Sequence, residues 1–157
     1  MGHRITAVIL KGAYNVKEAE QYDLFGVKLK DELALFHIDV YYTEFWQEKL
    51  NVLGFLDINI VANVLQPNEK VILKLLQLIS SNESPEFALI GTDYFGGNGT
   101  QAATVFHGEH NRDTSIKTIN EALRILGVDK KNAVDEFESV GLHHIRRQPE
   151  YLIKYSE

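Results

Sequence analysis

Acid–base or metal chemistry in this chain has to come from six histidines, His3, His37, His107, His110, His143 and His144, and the carboxylates near them. Histidine titrates near neutrality and ligates metals through a ring nitrogen, so its neighbours decide its use. His37 and Asp39 flank Ile38 and share one face of a predicted strand, the geometry of a hydrogen-bonded acid–base pair or of two metal ligands. His107 and His110 flank Gly108 and Glu109 at a predicted strand end, where both rings reach one ion only if the loop curls. With Asp93 added, a hydrolase would draw on His37, Asp39, Asp93, His107 and His110. The spacing fits this poorly. The His-Glu-x-x-His pattern and the Gly-x-Ser-x-Gly elbow are both missing from the sequence. Cysteine is absent too, which excludes disulfides, thiolate zinc and thiol nucleophiles. Hydrogen-bonded structural histidines are the better account, with Asp39 as a capping or turn residue. No metal and no cofactor is expected.

The densest local signal is Gly96-Gly97-Asn98-Gly99-Thr100-Gln101. A phosphate loop needs a following helix and a suitably placed lysine; here strand character resumes at Gln101, so the glycines read as a β-turn. The preceding Thr92-Asp93-Tyr94-Phe95 sets a carboxylate and two rings at a strand end beside that turn, a recognition pattern in which aromatic rings give contact area at low entropic cost. A second aromatic group is Tyr41, Tyr42, Phe45 and Trp46: helical spacing buries Phe45 and Trp46 with Leu50 and leaves Tyr41 or Tyr42 at the surface. Asp39, Tyr41, Tyr42, Asp93, Tyr94, Phe95 and Gln101 are therefore the expected binding residues, forming an aromatic centre with an acidic rim if the two groups adjoin.

These residues must be positioned by a mixture of short strands and amphipathic helices. Ile5 to Leu10 and Leu33 to Val40 read as strands; Leu56 to Val64 alternates at period two as a half-buried strand. Phe87 to Phe95 and Gln101 to His107 form a β-hairpin around Gly96–Gly99. Helices are expected after Asn15, with Glu18 three residues on, and after Thr43. Further helices are expected over Val71 to Ile79 after Pro67-Asn68, over Ile116 to Leu126, and more briefly over Lys130 to Val140 before Gly141. The fold class is α+β: one domain over residues 1–157, with a mixed, largely antiparallel sheet of about five strands and amphipathic helices mainly on one face.

Bulk properties limit the functions available. The 157 residues are 45% hydrophobic and 24% charged, which suffices for one core without staples. The net charge of −6 disfavours nucleic acid, and Arg146-Arg147 reads as a solvated face. The apolar run Ile5 to Leu10 is too short for a signal peptide, and the apolar segments fall short of the ~20 residues that span a bilayer, so a soluble, cytoplasmic chain is expected. The leading functional expectation is a non-catalytic protein that recognises another protein, as an adaptor or as the neutraliser of a basic enzyme. The alternatives are the hydrolase above and a small-molecule-binding domain with a pocket between the sheet and the helix after Thr43.

Overall fold

A computed structural model describes residues 2–57 and 67–157; the strand expected over Leu56 to Val64 lies, from residue 58 on, outside the described residues. The strands are β1 (Gly2–His3), β2 (Thr6–Lys11), β3 (Val27–Lys28), β4 (Leu33–His37), β5 (Glu86–Phe95), β6 (Asn98–His107) and β7 (His110–Asn111). The helices are α1 (Val16–Glu20), α2 (Val40–Leu50), α3 (Lys70–Ser80), α4 (Ile119–Ile125) and α5 (Glu136–Val140), with 3₁₀ turns at Leu142–His144 and Glu150–Ser156.

One sheet runs β3-β4-β2-β5-β6-β7, and β1 pairs with the far end of β5. All of its ladders are antiparallel. The class is the one expected; β1, β3 and β7, of two residues each, are too short to leave a periodic signal in the sequence. β1 is an extension of β2, since Thr6 faces Gly91 and His3 faces Tyr94 in one continuous register.

Strand alternation sends side chains into two separate cores. Val8, Leu10, Phe36, Phe87, Leu89 and Phe106 pack beneath α1, α2, α3 and the C-terminal 3₁₀ turn. Ile9, Leu35, Ala88, Ile90 and Val105 pack beneath α4, α5 and the Leu142–His144 turn. The two eleven-residue helices share the first face, as expected, but the second face is covered as well. The 3.6-residue apolar stripe of α3 buries Val71, Ile72, Leu75, Leu76 and Ile79.

Two helix starts differ from those expected. Asp39, not Thr43, caps α2: its carboxylate accepts the Tyr42 N–H at 2.8 Å, while the Thr43 hydroxyl donates to the Val40 carbonyl within the helix. Residue 39 has extended backbone, so β4 ends at His37 and Tyr41 and Tyr42 enter the first helical turn. At α4 the cap is Thr118, in a reciprocal capping box with Glu121, so this helix begins three residues after Ile116.

The β5–β6 hairpin closes through Gly96 and Gly97 at φ +60° and +83°, the signature of a type I′ turn. Gly99 is required for a different reason: a Cβ there would overlap the Asp93 carbonyl oxygen and stand 2.6 Å from Tyr94 Cα. Urea unfolding is therefore expected to show Gly99→Ala destabilised by about 1–3 kcal/mol, the usual cost of overpacking. Gly96→Asn should fall within about 0.5 kcal/mol of wild type, since Asn-Gly also suits this turn. Equal losses for both variants would contradict this assignment.

Candidate functional site

The structure does not bring the candidate hydrolytic residues together. His37 is 5% exposed and donates from Nδ1 to Gln148 Oε1 at 3.0 Å; Gln148 Oε1 also accepts from Thr6 N–H, and its Nε2 donates to the Ile38 carbonyl at 2.8 Å. Asp39 is occupied as the α2 cap. His107 faces Glu86 across the sheet and Asp93 lies seven residues along β5 from Glu86, roughly 23 Å at ~3.3 Å per residue. His107 and His110 face each other across the turn joining β6 to β7. Among the described residues no three His, Asp or Glu side chains gather as a metal site.

His3, one of the six histidines but part of neither the hydrolase set nor the binding set, has a defined structural role. Its Nε2 donates to the Leu142 carbonyl at 3.0 Å, which leaves Nδ1 to accept from the Thr92 hydroxyl at 2.8 Å. The same hydroxyl accepts from Ile5 N–H at 3.1 Å. The imidazole thus ties the end of β1 to β5 and to the 3₁₀ turn.

The seven expected binding residues divide between the two faces of the sheet. Tyr42 is fully buried, with its hydroxyl donating to the Tyr22 carbonyl at 2.6 Å, so it is a core residue and not a surface one. The reason is the shifted start of α2, which turns residue 42 toward the sheet. Tyr41 is 50% exposed. Tyr94 alternates with exposed Asp93 and Phe95 and lies on the second face with Gln101, whose Nε2 donates to Tyr94 Oη at 3.0 Å. Tyr41 and Tyr94 therefore cannot form the joint patch that an adjoining arrangement would give.

An aromatic surface does form on the first face. Tyr41, Glu44, Phe45 and Glu48 recur on the outer side of α2, with Phe45 45% exposed. The Phe45 ring meets Trp46 at 5.1 Å and Tyr155 at 5.2 Å between centroids, and Tyr155 in turn meets Tyr42 at 5.1 Å. Phe25 packs edge-on against Tyr151, and Ile153 is exposed between the two tyrosines in sequence. Asp23 binds the Tyr155 hydroxyl and Lys154 Nζ, the latter at 2.7 Å. Burial, then the nearby carboxylates of Asp23 and Asp39, push the Tyr151 phenol above its ordinary value.

On the opposite face a cavity of about 300 Å³ opens between the sheet and α4, α5 and the Leu142–His144 turn. Its floor carries His3, Thr92, Tyr94 and Gln101; Asn120, Asp135, Phe137, His143 and Arg146 complete its sides. Much of the lining is already tied together. Gln101 Oε1 accepts from Ile119 N–H at 2.7 Å, and Asn120 Oδ1 accepts from Phe137 N–H at 2.8 Å. This cavity lies across the sheet from α2, and Arg146, read from sequence as solvated, is exposed among its lining residues.

Comparison with protein-family models, with curated proteins and with solved structures found no match. Among the described residues no helix is long and apolar enough to cross a membrane.

Burial lowers the pKa of both His3 and His37 below the ordinary 6.5, because the charged ring loses solvation. Unfolded chains gain protons on these rings below about pH 6.5 while the folded protein does not; the stability they contribute is complete above that value and is lost as pH falls toward the folded pKa values. Unfolding free energy measured in urea should decrease between about pH 7 and about pH 5, above the range in which free carboxylates titrate. A constant or rising stability over that interval would contradict neutral, buried imidazoles.

Proposed function

We propose that this chain is a non-catalytic protein-recognition domain and that the outer side of α2, with the C-terminal 3₁₀ turn, is its docking surface. The observation that carries this reading is the pair of half-exposed rings, Tyr41 and Phe45, with Glu44 and Glu48 between and beside them. Solvent-facing aromatic clusters on a folded scaffold contribute binding energy through desolvation, and the rings are held by packing against Trp46 and Tyr155 and so lose little entropy on docking. The scaffold beneath is a core that includes Tyr42, Trp46 and the buried side of α3, which suits rigid recognition.

Charge selects the partner. Glu44 and Glu48 outnumber Lys49 on the exposed part of α2, Lys154 is already paired with Asp23, and the whole chain carries −6. A basic protein surface is complementary, and a second copy of this chain is repelled. An adaptor for a basic protein, or the neutraliser of a basic enzyme, fits this surface in a cytoplasmic setting.

Affinity capture from the source cell, read by mass spectrometry, tests the reading. Wild-type protein should retain a basic partner whose capture weakens as salt rises. Phe45→Ala should reduce its affinity by about 2 kcal/mol, about 30-fold, while circular dichroism remains unchanged. The Glu44→Lys/Glu48→Lys pair should remove the salt dependence. Equal recovery by wild type and Phe45→Ala, or recovery of an acidic partner, would refute it.

A further inference from the structure

We propose that the cavity on the second face binds a free α-amino acid with an apolar side chain. This rests on groups unrelated to the α2 surface and stands or falls separately from it. Two opposite charges, Arg146 and Asp135, line one small cavity, and neither forms an ion pair with the other or with any other described residue. Among the described residues the Arg146 guanidinium makes one hydrogen bond, 3.3 Å from Nη1 to the Gly2 carbonyl, and keeps its other donors. Asp135 uses Oδ1 to cap α5 and accepts at Oδ2 only a long, 3.3 Å bond from Asn120 Nδ2. A ligand carrying a carboxylate and an ammonium on one carbon is the complement of such a divided pair: its carboxylate meets arginine and its ammonium meets aspartate.

The remaining lining groups agree with that polarity. Tyr94 Oη already accepts from Gln101, so its own proton is available to a ligand carboxylate. The Phe137 ring, set 5.2 Å from the His3 ring, offers an apolar wall for a side chain. About 300 Å³ is the lower end of ligand-pocket volumes, roughly 300–1,000 Å³, which restricts the occupant to a small molecule.

Calorimetric titration with L-phenylalanine, with phenethylamine, which lacks the carboxylate, and with 3-phenylpropionate, which lacks the ammonium, separates the contributions. Wild-type protein should bind the amino acid at least about tenfold more tightly than either fragment. Arg146→Gln should weaken L-phenylalanine and 3-phenylpropionate about tenfold and spare phenethylamine. Asp135→Asn, which keeps a good helix cap, should weaken L-phenylalanine and phenethylamine and spare 3-phenylpropionate. Three results would overturn the proposal: no binding of L-phenylalanine at millimolar concentration, binding insensitive to both substitutions, or 3-phenylpropionate bound as tightly as the amino acid.

Discussion

The central constraint is that β2 and β5 are buried from both sides. An antiparallel sheet commonly leaves one face to water, and its strands then alternate polar and apolar residues. Here Ala7 to Leu10 and Phe87 to Ile90 are buried without interruption, with successive residues feeding different cores. A polar residue in these rows must be satisfied within the protein. Thr92, at the end of the buried run, meets this demand by bonding both Ile5 N–H and the His3 ring, and His3 passes the connection on to the Leu142–His144 turn. One network thus fixes both the end of the sheet and the floor of the cavity.

Covering both faces gives the molecule two surfaces with different chemistry. The first face ends in rings with carboxylates around them, on a long helix whose inner side is locked into the core through Tyr42 and Trp46. The second is covered by shorter elements, and their imperfect closure over the hairpin end leaves a concave space lined by charges of both signs. The sheet, one layer of interlocked ladders, stands between them, and the C-terminal segment runs from Arg146 at the cavity to Tyr155 beside Phe45. The proposed protein recognition on the first face and the proposed small-ligand binding on the second use different residues of one scaffold.

Much of this was legible in the sequence where local chemistry dominates. Gly96-Gly97 dictates a turn because both positions require positive φ, and the period of Val71 to Ile79 specifies a helix whichever neighbour it meets. The α2 start was not legible, because Asp39 and Thr43 are both competent caps and only the end of β4 selects between them. Tyr42 could not be assigned to the core from sequence, since its hydroxyl depends on a carbonyl twenty residues earlier. The cavity was even less accessible: Tyr94 and Gln101 were singled out, but as part of a patch with Tyr41, and alternation along β5 places them on the other face. His3 and Arg146 stand near opposite ends of the chain and carry no spacing signal; the antiparallel pairing of β1 with β5 sets His3 opposite Tyr94, and the bridge between Arg4 and Arg147 brings Arg146 to the same cavity.

The central claim, that the sheet separates two independent surfaces, is tested most directly by nitrogen-15 correlation spectra recorded during titration with L-phenylalanine. The account predicts progressive amide shifts around Tyr94, Gln101, Asn120, Phe137 and Arg146, with Tyr41 to Glu48 unmoved. Shifts centred on α2, shifts of equal size on both faces, or no shifts at saturating ligand would contradict it.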